Sequence, residues 1–344
     1  MPIDRTATLS RERAFAICHD LLRAAGVELD AATVVADHVA DCDLLGVTSH
    51  GLIRVPKYVD QLLEGYIRGD ARIAVVADQP TMVRLDAGQG FGIVAMREAI
   101  RRAIIKSRET VVAVACVVNC AHTGRIGAFA EQAARENCFA MIFGGGAHRR
   151  YKEVAPYGGR RGVFDTNPYA LAVPAGGHGP VIADFATAAT AQGKMLVYRT
   201  SRRPVPDGWI IDAAGNPTTD AEDFYSGGAM LPSAGPKGYG LAMIAELIGD
   251  ALLGEPHELN WMAIVIDLAA VRSLGDYETA AERFGDLVKA CPPAPGFSEV
   301  MLPGEPERRT GEQRRREGII VPVEARRLLN AAAQRVGLQP FFDA

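Results

Sequence analysis

Residues 81–122 read TMVRLDAGQGFGIVAMREAIRRAIIKSRETVVAVACVVNCAH, and this stretch decides the fold. Residues 81–85 are strand-like, a glycine turn follows at 88–92, and apolar side chains recur at helical spacing over 93–108. Residues 111–118 form a continuous apolar run rich in valine, which is typical of a buried strand. The stretch therefore predicts a strand, a helix and a second strand.

A strand, a glycine turn and a helix in this order also begin the Rossmann dinucleotide-binding motif GxGxxG. The motif DAGQGFG at 86–92 does not match it, because the third glycine would fall at Ile93. A glycine turn that lets a strand pack tightly against a helix is the simpler interpretation. We therefore predict an α/β fold that is not a Rossmann fold.

Helices are predicted at both ends of the chain and further strands in its middle. Ser10 and Asp30 are candidate caps of two helices that stop at Gly26 and Gly46. Residues 198–232 are rich in proline, glycine and aspartate and predict an ordered surface excursion. The other predicted helices lie at 52–65, 125–137, 237–253, 277–289 and 322–336, and the other predicted strands at 139–143, 169–173, 181–184 and 263–268.

The length of 344 residues suggests two domains. We predict a helical unit formed by residues 1–78 and 297–344, and a cofactor-binding α/β domain formed by residues 79–296. The formal net charge of -4 gives no general attraction for nucleic acid or an acidic membrane. No apolar run approaches the ~18 residues that span a bilayer, and the N-terminus has no apolar signal region, so we expect a cytoplasmic protein.

The six cysteines are scattered and include no CxxC pair, so we expect reduced and mostly buried thiols. Cys116, Cys120 and His122 share one parity in the predicted strand, which leaves a metal site open beside the interpretation as small buried side chains. No motif of the HExxH kind occurs. We predict an activity that needs no metal.

His122 closes the apolar strand and precedes Thr123 and Gly124, which are predicted to open a helix. An imidazole at this place can exchange a proton with a hydroxyl or carbonyl, while helical N–H groups hold a carboxylate. A structural histidine that caps the helix is the alternative. A second histidine, His50, lies four residues before Arg54 and shares its face if the segment is helical, where the arginine suits a planar carboxylate. Read alone, this segment is equally a plain helix start.

Lys237 lies in GPKGYGLAM, where glycines permit close approach of the backbone and an apolar helix begins at once. A lysine at a helix N-terminus is typical of a phosphate or pyrophosphate site. The P-loop pattern is absent.

Eight motifs spread over nearly the whole chain resemble the malate/L-lactate dehydrogenase type 2 family, which includes ureidoglycolate and sulfolactate dehydrogenases and cyclic imino-acid reductases. The form AGPKGYGL, with PVPDGW and GNPTTD upstream, resembles the ureidoglycolate dehydrogenase branch most. In chain order the motifs are GVTSHGLIRVPKY, GQGFGIVAMREAI, AHTGRIGAFAEQAA, VAPYGG, DTNPYALAVP, DFATAATAQGK, LPSAGPKGYGLAM and PAPGFSEVMLPGE.

The resemblance implies a cofactor domain with a mixed, largely antiparallel sheet, a homodimer or larger assembly, and NAD or NADP as cofactor, with NAD slightly favoured. It implies proton transfer by His122, or by His50 as in other branches of the family. The implied substrate-binding residues are Ser49, Arg54, Tyr58, Thr123 and Arg149. The implied cofactor contacts are Gly146, Asp184, Phe185, Ala186, Lys237, Gly304, Glu305 and Pro306.

Two departures from the family pattern leave the substrate open. Gly146 stands where ureidoglycolate dehydrogenases have a serine, and Asp165 replaces the glycine that commonly precedes TNP. Just after Gly146 comes a basic run of His148, Arg149, Arg150 and Lys152. This run is either a solvated loop or a site that recognises an extra anionic group on the substrate.

The leading hypothesis is hydride transfer between the nicotinamide cofactor and a small 2-hydroxy or 2-oxo acid of the malate, lactate, ureidoglycolate or sulfolactate type. The alternative within this class is reduction of a cyclic imino acid such as a pyrroline or piperideine 2-carboxylate. A binding protein without turnover is disfavoured, because both histidines, Arg54 and Lys237 are present.

Overall fold

A computed structural model describes residues 7–149 and 151–343, without the side chain of Arg149. The helices are α1 (Arg11–Ala24), α2 (Leu29–Leu44), α3 (Val55–Leu63), α4 (Gly92–Thr110), α5 (Gly127–Arg135), α6 (Gln192–Ser201), α7 (Ala221–Tyr225), α8 (Pro236–Glu246), α9 (Leu274–Lys289), α10 (Glu305–Glu317) and α11 (Val323–Arg335). The strands are β1 (Ala7–Leu9), β2 (Ala74–Gln79), β3 (Met82–Asp86), β4 (Val112–Cys120), β5 (Cys138–Gly145), β6 (Tyr169–Val173), β7 (Val181–Phe185), β8 (Ile210–Ile211), β9 (Pro217–Thr218), β10 (Ala229–Met230), β11 (Leu259–Asp267) and β12 (Ile319–Val321).

The main sheet has seven strands in the order β2-β3-β4-β11-β5-β6-β7. Within this sheet only β3 and β4 run parallel, joined by the α4 crossover, and every other neighbouring pair is antiparallel. The predicted mixed, largely antiparallel α/β fold is therefore confirmed. The turn at 88–92 belongs to that crossover, and a Cβ on Gly90 would come within 2.6 Å of the Ala71 Cβ.

The hydrophobic core is continuous from the terminal helices to the sheet. Met96, Ile100 and Ile104, which the helical spacing placed on one face of α4, are all buried. The same cluster includes Leu21 of α1 and Leu329 of α11. The terminal helices and the sheet thus stabilise each other by burying apolar surface in common.

Three predicted details of the N-terminal half are wrong. The cap of α2 is Glu28, and Asp30 lies in the first helical turn. Residues 48–54 are not one helix but two short 3-10 turns separated at Gly51, whose backbone is extended. Asn119 has a φ of 53°, which interrupts the alternation of β4.

The predicted single parity of Cys116, Cys120 and His122 fails for that reason. Cys116 packs with Val118 on one face of the sheet, whereas Cys120 joins the main core on the other. Within the described ranges no three His, Cys, Asp or Glu side chains are grouped as metal ligands. All six cysteines are free, and five of them are buried.

The segment 198–232 carries secondary structure of its own. It contains α7 and a three-stranded sheet in the order β10-β8-β9. A separate apolar cluster, which includes Val205, Ile210 and Phe224, packs beneath it. The described residues include no helix that is both long and apolar enough to cross a bilayer.

Candidate active site

His122 follows β4 and is held through both ring nitrogens. The Nη2 of Arg54 lies 2.9 Å from His122 Nε2, and the Tyr58 hydroxyl lies 2.7 Å from His122 Nδ1. Arg54 ends a 3-10 turn and Tyr58 lies one turn later in α3, so one short segment supplies both partners. Tyr58 is fully buried and its ring packs edge-on against Phe91.

The surroundings of His122 keep its imidazole neutral. Burial, followed by the positive charge of Arg54, lowers the pKa of His122 well below its usual value. Burial also raises the pKa of Tyr58 well above its usual range, so the phenol stays protonated. A neutral imidazole beside an arginine can accept a proton from a bound hydroxyl group.

His50 lies beside His122 in the same site. The two rings stack with their centroids 5.8 Å apart, and the Ser49 hydroxyl is 3.0 Å from His50 Nδ1. The side chain of His50 is half-buried, and burial lowers its pKa to about 4. The structure thus brings together Ser49, His50, Arg54, Tyr58 and His122.

Two buried side chains that the sequence did not single out fix the backbone of this site. The Asp43 carboxylate accepts a hydrogen bond of 2.7 Å from Leu52 N–H, at the break between the two 3-10 turns. His38 Nε2 accepts one of 2.9 Å from Arg125 N–H, below the loop that carries His122. His38 and Asp43 both occur on the apolar face of α2, and a polar residue on such a face is the signal that could have found them.

The predicted helix N-terminus at His122 is displaced. Helix α5 begins at Gly127, whose N–H donates to the Asp184 carboxylate at 2.8 Å. The low pKa of His122 therefore arises from burial and Arg54 rather than from a helix dipole. Thr123 is buried next to His122. Its part in substrate binding stays a prediction.

Three of the residues predicted to contact the cofactor, Asp184, Phe185 and Ala186, lie at the end of β7. Arg125, on the His122 loop, comes within 3.9 Å of the Asp184 carboxylate and so connects the two regions. The neighbouring ring of Phe185 is exposed and stacks on Tyr169. Ala186 packs at the edge of the second apolar cluster.

Helix α8 begins against the chain that follows β7. Ser233 N–H donates to the Thr187 carbonyl at 2.8 Å, and Gly238 packs on the same oxygen so closely that a Cβ would come within 2.5 Å of it. Pro236 opens the helix and Lys237 follows as an exposed side chain in the first turn. The first N–H groups of α8 donate to carbonyls of the preceding turn, at Ala234, Ser233 and Gly235. The exposed Lys237 at a helix N-terminus suits a pyrophosphate, so this side chain fits a dinucleotide.

The Gly304, Glu305 and Pro306 turn packs on β7 from the other side. Ile182 N–H donates to the Pro303 carbonyl at 3.1 Å, and Gly304 caps α10 with a φ of 88°. The buried Glu305 carboxylate binds Lys289 at 2.7 Å and also pairs with Arg309. The ion pairs of Glu305 hold this turn in place. A contact between the turn and the cofactor stays a prediction.

Gly146 and the basic run lie at the end of β5, next to a buried carboxylate. Glu246 accepts hydrogen bonds from Gly146 N–H at 2.9 Å, from His148 Nδ1 at 2.6 Å and from Asn167 Nδ2 at 2.7 Å. His148 is therefore engaged within the protein. Lys152 is exposed, while Arg150 and the side chain of Arg149 lie outside the described residues.

Asp165 lies beside Glu153, because Val154 and Phe164 pair across an antiparallel bridge. Burial is the main cause that raises the pKa of both carboxyl groups, that of Glu153 to about 7. Glu153 directly follows Lys152, the last residue of the basic run.

A half-buried histidine–arginine–tyrosine group and a lysine at a helix N-terminus, on a sheet that is not a Rossmann sheet, are consistent with a class of dehydrogenase. The model of the malate/L-lactate dehydrogenase family matches residues 9–330. The chain belongs to the malate/L-lactate dehydrogenase family, as the motifs indicated.

Individual relatives are similar over almost their full length. A ureidoglycolate dehydrogenase (NAD(+)) of Escherichia coli is 32% identical over 326 residues, which cover 90% of this chain and 91% of that protein. The solved structure of sulfolactate dehydrogenase from Methanocaldococcus jannaschii aligns with a TM-score of 0.88 at 29% identity, covering 97% and 98%. That of delta1-piperideine-2-carboxylate reductase from Pseudomonas syringae aligns with a TM-score of 0.82 at 26% identity, covering 95% and 100%.

Proposed function

We propose that this protein transfers a hydride between a nicotinamide cofactor and C2 of a small 2-hydroxy or 2-oxo acid. The observation that carries this proposal is the pair formed by Arg54 and the neutral His122. Arg54 Nε is buried and has no hydrogen-bond partner among the described residues. A carboxylate with two oxygens would supply the missing partner and lie beside a base.

In this scheme each residue has one task. Arg54 binds the substrate carboxylate, and His122 takes the proton of the C2 hydroxyl group. Ser49 and His50 orient the acid beside them. The nicotinamide, when bound, accepts the hydride in oxidation and returns it in reduction.

The side chain of Lys237, at the start of α8, is the donor that we propose for the cofactor pyrophosphate. Thr187, which follows the Asp184 segment, contacts Ser233 just before the helix, and this neighbourhood supports a shared cofactor site. Because His122 can move the proton unaided, the scheme has no step for a metal. We propose NAD or NADP as the cofactor, with NAD slightly favoured.

Reduction of a cyclic imino acid is the second candidate. The likeness to delta1-piperideine-2-carboxylate reductase favours it, since the same site would protonate the imine nitrogen. We further propose a homodimer or larger homo-oligomer in the cytoplasm. The exposed side chains of Phe284 and Leu287 on α9 and of Phe297 support self-association.

A substrate panel tests the proposed function. Both cofactors are assayed by absorbance of the reduced nicotinamide against malate, lactate, sulfolactate, ureidoglycolate and cyclic imino acids. We expect turnover of at least one 2-hydroxy acid. Turnover of cyclic imino acids alone would favour the second candidate, and binding of neither cofactor would reject both.

A further inference from the structure

The nitrogen that has to act as the base is already occupied. An arginine side chain is always charged and only donates hydrogen bonds, so the Arg54 contact requires a lone pair on His122 Nε2. While Arg54 holds that lone pair, Nε2 cannot accept the proton of a substrate hydroxyl group. The same arginine is the residue proposed to bind the substrate carboxylate.

The contact also determines the tautomer of His122. A neutral imidazole with a free Nε2 carries its proton on Nδ1, and the Tyr58 oxygen, 2.7 Å away, accepts it. Gly124 N–H points to the same Nδ1 from 3.3 Å and would favour the opposite tautomer. Tyr58 is the nearer partner, and its hydroxyl group can either donate or accept. In the tautomer that the Arg54 contact requires it accepts from Nδ1, and we infer that it keeps this role when Arg54 leaves.

The electrostatic surroundings of His122 change when an anion binds. The charged or titratable groups that act on its pKa are Arg54, His50, His38 and Lys57, all of which lower it. A carboxylate on Arg54 offsets the nearest of these charges. It also gives the buried Arg54 Nε the partner that it lacks among the described residues.

We propose that the substrate carboxylate unmasks the base: it draws Arg54 away from His122 Nε2, while Tyr58 keeps the proton on Nδ1. The inference rests on the proposed function. In the step that follows, the substrate O–H bond breaks and its proton passes to Nε2, the C2–O bond becomes a carbonyl, and C2–H leaves as a hydride for the oxidised nicotinamide. Tyr58 is thus a positioning residue for the base, and Arg54 is the substrate-binding residue that releases it.

A titration of the imidazole tests this without turnover. The full-length protein carries 15N-labelled histidine, and NMR follows the two His122 nitrogens across pH with and without saturating oxamate, an unreactive carboxylate. We expect Nδ1 to be protonated throughout and the His122 pKa to rise by about one unit or more with oxamate. Calorimetry measures oxamate binding separately.

Three variants give matched comparisons in this titration. In Arg54→Gln, the pKa of His122 is higher without ligand and insensitive to oxamate. In Tyr58→Phe, the proton moves towards Nε2 because Gly124 N–H becomes the nearest partner of Nδ1. Lys57→Gln removes a more distant cation and leaves the response to oxamate intact.

The outcomes separate the two proposals. No binding of oxamate would reject the carboxylate site and with it the proposed function. Binding that leaves the pKa of His122 unchanged, or an unprotonated Nδ1 in the free protein, would reject the unmasking alone.

Kinetics supply an independent comparison between the best acid of the panel and its primary amide. We expect kcat for the amide to be about 10²-fold lower than kcat for the acid. In Arg54→Gln the two kcat values should differ less. An amide with normal kcat and only a raised KM would contradict the proposal.

Discussion

At the scale of single residues, the two histidines have different environments although their rings stack. His122 is held at both ring nitrogens, whereas a hydrogen bond is described for only one nitrogen of His50, to Ser49. A base needs a fixed orientation relative to the hydroxyl group that it deprotonates. This difference favours His122 as the proton acceptor and His50 as a residue that orients the acid.

Alanine variants of the histidines test that assignment. In His122→Ala, kcat for oxidation should fall by ~10²–10⁴ with little change in cofactor affinity, the usual cost of losing a general base. In His50→Ala, the Michaelis constant of the acid should rise instead. Steady-state kinetics of both variants decide the matter, and a collapsed kcat in His50→Ala with a normal His122→Ala would reverse the roles.

The same site has a predicted pH dependence. The pKa of His122 is well below its usual value, so the imidazole is still neutral where a free histidine is protonated. The acid limb of kcat/KM for oxidation should therefore lie below pH ~6.5, the ordinary value for histidine. A pH–rate profile measures it, and an acid limb at or above that value would disagree with the depressed pKa.

Lys237 carries the cofactor prediction. Lys237→Ala should raise the dissociation constant of the cofactor about tenfold, if one charge-assisted contact of ~1.4 kcal/mol is lost. Lys106→Ala is the matched control, because Lys106 lies on α4 and pairs with Asp78 of strand β2. Fluorescence titration with the reduced cofactor measures the dissociation constant of both variants. Equal values in the two variants would mean that the pyrophosphate binds at another place.

At the scale of elements, most of the central sheet and its helices could be predicted from the sequence. The predicted bounds agree within two residues with those observed for β4, β6 and α4. Each of these elements buries apolar side chains that are continuous or periodic in the sequence. Helix α10 was missed, since EPERRTGEQRRRE is polar on every face and gives no apolar period. Edge strand β2 was missed because it is mostly exposed.

The site was predictable only in part for a related reason. His122, His50 and Arg54 could be found from local patterns, and Tyr58 came from the family motif. The contact of Arg54 with His122 joins residues 68 positions apart, and no local pattern encodes it. The break at Gly51 depends on the buried Asp43, whose carboxylate would lie 2.0 Å from a Cβ on that glycine.

The packing of α2 against the His122 loop makes a stability prediction. Burial lowers the pKa of His38 to about 3, from 6.5. Below pH ~6.5 the unfolded chain binds a proton that the folded protein refuses, so stability is complete above that pH and is lost on acidification. At pH ~5 this single group lowers the free energy of unfolding by about 2 kcal/mol relative to its value at neutral pH.

The variant His38→Gln isolates that contribution, because the amide oxygen can still accept from Arg125 N–H. Between pH 7 and 5 the variant should lose about 2 kcal/mol less of its free energy of unfolding than the wild type does. Urea unfolding at the two pH values measures the difference. Identical losses in both proteins would contradict a buried, neutral His38.

At the scale of the whole molecule, the fold explains why the site needs distant parts of the chain. Arg54 and Tyr58 come from the segment at the start of α3, β4 ends near His122, and the start of α8 carries Lys237, which we propose for the cofactor. In the sheet, β11 inserts between β4 and β5, a pairing that joins residues more than a hundred positions apart. The terminal helices and the sheet share one hydrophobic core. The division into a helical unit and a cofactor domain therefore stays a prediction.

Direct transfer of a hydride from C2 of the acid to the nicotinamide is the central claim. The measurement is mass spectrometry of the reduced cofactor after turnover of the best 2-hydroxy acid carrying deuterium at C2. We predict one deuterium in each reduced nicotinamide formed by the wild type, and in His122→Ala the same label at a much lower rate. A reduced cofactor without deuterium, or label released to solvent, would contradict the account.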